Sequence, residues 1–135
     1  MKARILLLAT CVSLLLGGLA VDAGAKNHKV YFLSNCTNTR YKPTHLIAAC
    51  GDAGLRVNGI EWSHYGAKSA TGNGTAAIKT CMPDCATGGI NRNPAVVRLS
   101  RPRQCAGDSR TVFTRLKVTS QGNTITFPFP CRIYG

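Results

Sequence analysis

Acidic side chains are scarce in this sequence: five Asp and Glu stand against 17 Lys and Arg, for a net charge of +12. Reaction motifs are missing as well. There is no Walker loop, no HExxH pair, no GxSxG elbow and no EF-hand loop. No single stretch therefore encodes a recognisable reaction, no catalytic residue stands out, and no cofactor is implied. Sustained 3.6-residue periodicity is absent beyond the first 25 residues, which excludes a helical fold for the rest. No linker, heptad pattern or long repeat divides the chain, so one domain is expected. Nothing matches an RRM or a basic helix, which argues against sequence-specific reading of nucleic acid.

The N-terminus reads as a sorting signal. Residues 5–16 form an almost unbroken apolar run, preceded by Lys2 and Arg4. Ala23-Gly24-Ala25 then offers the small residues that a signal peptidase accepts. A helical signal peptide over 1–25 is expected, followed by a secreted domain over 26–135. The apolar run is short for a bilayer span, which needs about 20 residues. No transmembrane segment is expected after cleavage. Reading Leu8-Ala9-Thr10-Cys11 as a lipobox would leave a second apolar stretch on the mature chain and shorten the apolar core of the signal.

Cleavage removes Cys11 and leaves six cysteines: Cys36, Cys50, Cys81, Cys85, Cys105 and Cys131. An even number in an exported domain reads as a disulfide framework. Six cysteines can pair in many ways, and spacing does not choose among them. The expected arrangement joins Cys36, near the start, to Cys131, near the end, and leaves the other four to pair among themselves. Each bridge contributes about 2–4 kcal/mol, mainly by restricting the unfolded chain. That matters in a domain burying only about 60–70% of its extended surface. Cys81-Met82-Pro83-Asp84-Cys85 has a C-x₃-C spacing. Redox pairs use C-x₂-C, and zinc needs two further ligands nearby, whereas His28, His45 and His64 are scattered. A structural disulfide role is expected there, and no metal.

Short apolar runs alternate with Gly, Asn, Thr and Pro, as in a β-sandwich or barrel. Strands are expected over 30–34, 45–50, 55–63, 75–81, 95–100, 112–119 and 124–129. In the third, Leu55 and Val57 share one parity and Ile60 and Trp62 the other, with Asn58-Gly59 at the switch. A bulge or tight turn is expected there. Residues 69–74, Ser-Ala-Thr-Gly-Asn-Gly, look too flexible for a strand interior, and 81–93 reads as a loop. Gln121-Gly122-Asn123 turns the chain into the last strand. That strand carries Pro128, which cannot donate to a ladder, so it belongs at an edge. The fold class is all-β: a small disulfide-stabilised sandwich or partly closed barrel of about seven strands.

Removing Lys2, Arg4 and Asp22 with the leader leaves 15 basic and 4 acidic residues, a net charge of +11. If strands 95–100 and 112–119 are antiparallel neighbours, Arg98, Arg115 and Lys117 share one solvent face. Arg101, Arg103 and Arg110 come from the connection between them. Like charges gathered on a sheet face repel. Such a cluster is either a solvated face that keeps the protein soluble or a site for an anion. Outside the cell the candidate partners are anionic cell-wall polymer, polysaccharide, an acidic lipid surface or free nucleic acid.

Glu61-Trp62-Ser63-His64-Tyr65 suggests acid–base chemistry. On a regular strand, however, Glu61 and Ser63 face one way and Trp62 and His64 the other. Trp62 is most simply a core anchor. Asn35-Cys36-Thr37 and Asn73-Gly74-Thr75 match the N-glycosylation pattern, which matters only in a eukaryotic secretory pathway.

An ordered series runs through residues 49–116. It comprises Ala49-Cys50-Gly51-Asp52, Ile60-Glu61-Trp62-Ser63, Tyr65-Gly66, Ala70-Thr71-Gly72-Asn73-Gly74, Cys81-Met82-Pro83-Asp84-Cys85-Ala86 with Gly88, Pro94-Ala95-Val96 and Phe113-Thr114-Arg115-Leu116. It resembles a group of small exported proteins frequent in actinobacteria. Tyr65 departs from that pattern, which often has tryptophan before the glycine. Cys36 and Cys131 lie outside the shared series, which supports bonding them to each other. The resemblance implies a secreted bacterial protein and brings no activity with it. The leading expectation is a non-enzymatic extracellular protein that binds anionic surface material through its basic face. The alternatives are a small secreted hydrolase and a secreted toxin or inhibitor.

Overall fold

The computed structural model describes residues 28–131, so the expected signal peptide, Lys26 and Arg132 lie outside the described residues. The described chain is all-β. Its strands are β1 (Val30–Leu33), β2 (Thr39–Arg40), β3 (Leu46–Ile47), β4 (Leu55–Tyr65), β5 (Ser69–Lys79), β6 (Ile90–Gln104), β7 (Thr111–Ser120) and β8 (Asn123–Pro128). Seven follow one path, β2-β1-β7-β6-β5-β4-β3, and β8 pairs with β7 beside β1. All pairings are antiparallel except β1 with β7.

Alternation along the strands builds the interior. Val57 of β4, Val97 and Leu99 of β6, and Leu116 and Val118 of β7 point inward, and Phe32, Leu46 and Phe113 fill the space between them. The two ends of the sheet meet across this core. The Ile47 N–H at one end donates to the Ser34 carbonyl just past β1 at the other, at 2.7 Å. The Tyr65 hydroxyl donates to the Val30 carbonyl at 3.1 Å, and Trp62 Nε1–H donates to the Pro43 carbonyl at 2.9 Å. The result is a partly closed barrel with a seam between β1 and β3.

The Cys36–Cys50 disulfide crosses that seam, with Cα atoms 5.6 Å apart. Cys81 bonds Cys85 within the β5–β6 loop, and Cys105 after β6 bonds Cys131 after β8. The expected Cys36–Cys131 bridge is therefore incorrect. Nearness to the chain ends does not predict nearness in the sheet. The chain leaving β1 lies against the one leaving β3, while the tail after β8 lies against the end of β6.

The expected strands over 30–34, 55–63, 95–100, 112–119 and 124–129 are present, with β4 and β6 running longer. The 45–50 strand shrinks to the two residues of β3. Gln121 and Gly122 both have positive φ, 50° and 76°, as a two-residue type I′ hairpin turn requires. Pro128 sits on an edge strand: among the described residues β8 pairs with β7 alone.

Residues 69–74 are a correction, because they form the first half of β5. The glycines there answer a close approach, not a need to flex. Register slips in β4 between Asn58 and Glu61, and Gly59 has φ 62°. This bulge pushes β4 backbone toward β5. A Cβ on Gly72 would lie 2.7 Å from the Glu61 carbonyl oxygen, and one on Gly74 would lie 2.9 Å from that of Asn58. Glycine in a strand interior commonly marks such contact.

Candidate functional site

The antiparallel pairing of β6 with β7 sets Arg98 directly opposite Lys117 and Ser100 opposite Arg115. Arg98, Arg115 and Lys117 therefore share the outer face, as their alternation requires. Neighbouring strands extend the row: Thr71 and His64 lie beyond Arg98, and Thr126 lies beyond Lys117. Three further cations belong to this face, among them Lys79, two residues beyond Ala77 on β5. Arg56 on β4 and Arg92 on β6 flank Ala77 of β5 from either side. The parity of Arg56 against Leu55 and Val57 was the signal that could have found it. Glu61 is the one acidic residue that strand pairing puts on this face among the described residues. No ion pair within those residues reaches Arg98, Arg101, Arg103, Arg115 or Lys117.

Arg101 and Arg103 lie not in the β6–β7 connection but in the last part of β6 itself. Arg101 has φ 57°. A side chain other than glycine costs about 1–3 kcal/mol in such a conformation unless its surroundings hold it. Here the Thr114 hydroxyl donates to the Arg101 carbonyl at 2.9 Å, and the Phe129 N–H donates to the Thr114 carbonyl at 2.9 Å. The chain leaving β8 is thus tied to β7, and the Cys105–Cys131 bridge ties it to β6. Between these strands lies an open cleft of about 250 Å³, lined by Arg101, Arg103, Thr114, Arg115, Pro128, Phe129 and Cys131. A separate hollow of about 280 Å³ is lined by uncharged residues, among them Leu55, Ile78, Val118 and Ile125.

Arg110 lies in the β6–β7 connection, as expected, and is paired there. Its Nη2 and Nε both bond the Asp108 carboxylate, at 2.8 and 3.1 Å, and its guanidinium lies 5.9 Å from the Tyr31 ring centroid. The hydrogen bonds from Arg110 hold the Asp108 carboxyl below the usual carboxylate range. Asp108 stands two residues away, so the sequence itself places this partner within reach.

The Glu61–Tyr65 stretch also differs from a regular strand. A second register slip, between Trp62 and His64, turns His64 outward and Tyr65 inward. Glu61 and His64 are both exposed, with no hydrogen bond or ion pair between them. The Ser63 hydroxyl donates to the Thr71 carbonyl at 3.0 Å, so it is occupied by backbone. Trp62 packs against the core. Burial pushes the Tyr65 hydroxyl up to about 12. Among the described residues no three His, Cys, Asp or Glu side chains gather as a metal site, and no helix is long and apolar enough to cross a membrane. Three disulfides are consistent with an extracellular protein.

Comparison with known proteins yields no matching family model, no matching curated protein and no matching solved structure.

Proposed function

We propose that this is a secreted bacterial protein that binds anionic surface material, such as cell-wall polymer, polysaccharide or acidic lipid, through the outer face of β6 and β7. One observation carries the reading: Arg98 and Lys117 stand opposite each other, with Arg115 on the same face and, among the described residues, no carboxylate paired to any of them. Juxtaposed like charges cost folding energy. A bound polyanion offsets that cost, and released counterions add to the gain. The face is broad and open, so it suits a repeating polymer or a charged surface better than one small molecule.

The test is elution from a sulfonate resin and sedimentation with isolated cell walls across a salt series. The Arg98→Gln/Arg115→Gln/Lys117→Gln variant should leave the resin at clearly lower salt and lose most of its cell-wall binding. Neutral substitutions at Arg40 and Lys68, set against the Arg98→Gln/Lys117→Gln pair, are the control for net charge. Equal elution of the two variants would remove the face from consideration.

A further inference from the structure

The cleft at the ends of β6 and β7 gathers cations in a different way from the flat face beside it, because it has walls. Arg101 and Arg103 come from one strand and Arg115 from the next, and among the described residues no carboxylate lines the space. Guanidinium groups stay charged at any pH the folded protein meets. Their planar forks match the paired oxygens of phosphate and sulfate. Pockets for drug-sized molecules run about 300–1,000 Å³. At about 250 Å³ this one falls below that range and has room for a single charged group.

The walls are held before any ligand arrives. The Cys105–Cys131 bridge, the Phe129 N–H bond to the Thr114 carbonyl and the Thr114 hydroxyl bond to the Arg101 carbonyl fix the three segments that form them. Fixing a site in advance lowers the ordering cost of binding. The left-handed backbone of Arg101 also falls at this cleft. Such conformations cluster at ligand sites, where the surroundings over-determine them.

We propose that this cleft is a subsite for one tetrahedral oxyanion, a phosphate or sulfate monoester group borne on a larger molecule. The proposal rests on the anionic-surface reading for its class of ligand, and it adds the place where one group of that ligand is gripped. The flat face supplies long-range attraction, which salt screens. The cleft supplies a bidentate, saturable contact.

The test is an NMR titration of the oxidised secreted protein at constant ionic strength, following backbone amides and arginine Nε–H groups. The probes are inorganic phosphate, inorganic sulfate and acetate. Phosphate or sulfate should give saturating one-to-one shifts centred on Arg101, Arg103, Thr114 and Arg115, with acetate weaker than both. Whichever of the two oxyanions binds tighter names the monoester. The Arg101→Gln/Arg103→Gln variant should weaken that binding by about tenfold or more, because charged hydrogen bonds are lost. The Arg98→Gln/Lys117→Gln variant should leave it nearly unchanged while eluting earlier from the sulfonate resin. Shifts that grow without saturating, spread to Arg98 and Lys117, or are matched by acetate would overturn the proposal. If the Arg101→Gln/Arg103→Gln variant does not fold, the titration of the unaltered protein decides alone. Saturable cleft binding together with unchanged resin elution of Arg98→Gln/Lys117→Gln would sink the broad face and keep the subsite. The reverse pair of results would do the opposite.

Discussion

At the seam of the barrel, cations and rings are matched to partners. Lys42 lies 5.6 Å from the Tyr41 ring centroid and 5.9 Å from that of Tyr65, and Lys29 lies 5.6 Å from Tyr41. Arg110 holds Asp108 and lies near the face of Tyr31. Tyr65 stands edge-on to Tyr41 and Trp62 while its hydroxyl bonds the Val30 carbonyl. On the outer face of β6 and β7, by contrast, Arg98 meets Lys117 with no carboxylate among the described residues to answer either. The same residue types do different work in the two places. At the seam they close a sheet whose ends share little ladder, and on the face they contribute nothing visible to closure. Changes at the seam should therefore cost stability, and changes on the face should cost binding.

The sharpest way to break that contrast is at Phe32, which is fully buried beside the seam, 4.8 Å from the Phe129 ring centroid. Phe32→Ala should lose about 3–5 kcal/mol in urea unfolding, the usual cost of emptying so large a site. A loss below about 1 kcal/mol would mean the seam is loosely packed. Next is the staple itself. The Cys36→Ala/Cys50→Ala variant should lose about 3 kcal/mol, as expected for a loop of its length. Its Ile47 amide should exchange faster than the amides of β6. Unchanged exchange at Ile47 would show that the seam holds without its bridge.

A smaller effect tests Tyr65. Its hydroxyl ordinarily titrates near 10 and is raised to about 12, chiefly by burial. The folded state therefore keeps a proton that the unfolded chain gives up. That contribution is whole below about 10 and is lost as the pH rises through 12. Absorbance titration should show one tyrosine ionising late, and Tyr65→Phe should abolish that late step. Smallest is Asp108, where hydrogen bonds from Arg110 depress the carboxyl. Its contribution is present above the ordinary Asp value of about 3.9 and fades as the pH falls through the folded value. The difference in urea midpoint between the natural protein and Asp108→Asn should thus be slight at neutral pH and vanish in acid.

What the sequence shows plainly is whatever depends on alternation. The pairing of 95–100 with 112–119, and with it the shared face of Arg98, Arg115 and Lys117, follows from a side-chain period of two. The Asn58-Gly59 bulge and the Gln121-Gly122 turn follow from backbone chemistry. What it hides is whatever depends on a second strand. Gly72 and Gly74 look like flexibility until β4 is seen pressing against them. The slip at Ser63 has no glycine to mark it, so His64 appears on the wrong face. The cleft needs the Cys105–Cys131 bridge and the turned backbone of Arg101, neither of which spacing reveals. Disulfide partners are fixed by which chain ends meet in space: those leaving β1 and β3, and those leaving β6 and β8.

The most direct measurement takes the Arg98→Gln/Arg115→Gln/Lys117→Gln protein and records unfolding and cell-wall binding on the same sample. Because these cations have no part in closing the barrel, stability should stay within about 0.5 kcal/mol of the natural protein, while binding falls sharply. A marked loss of stability with binding intact would contradict the division between seam and face.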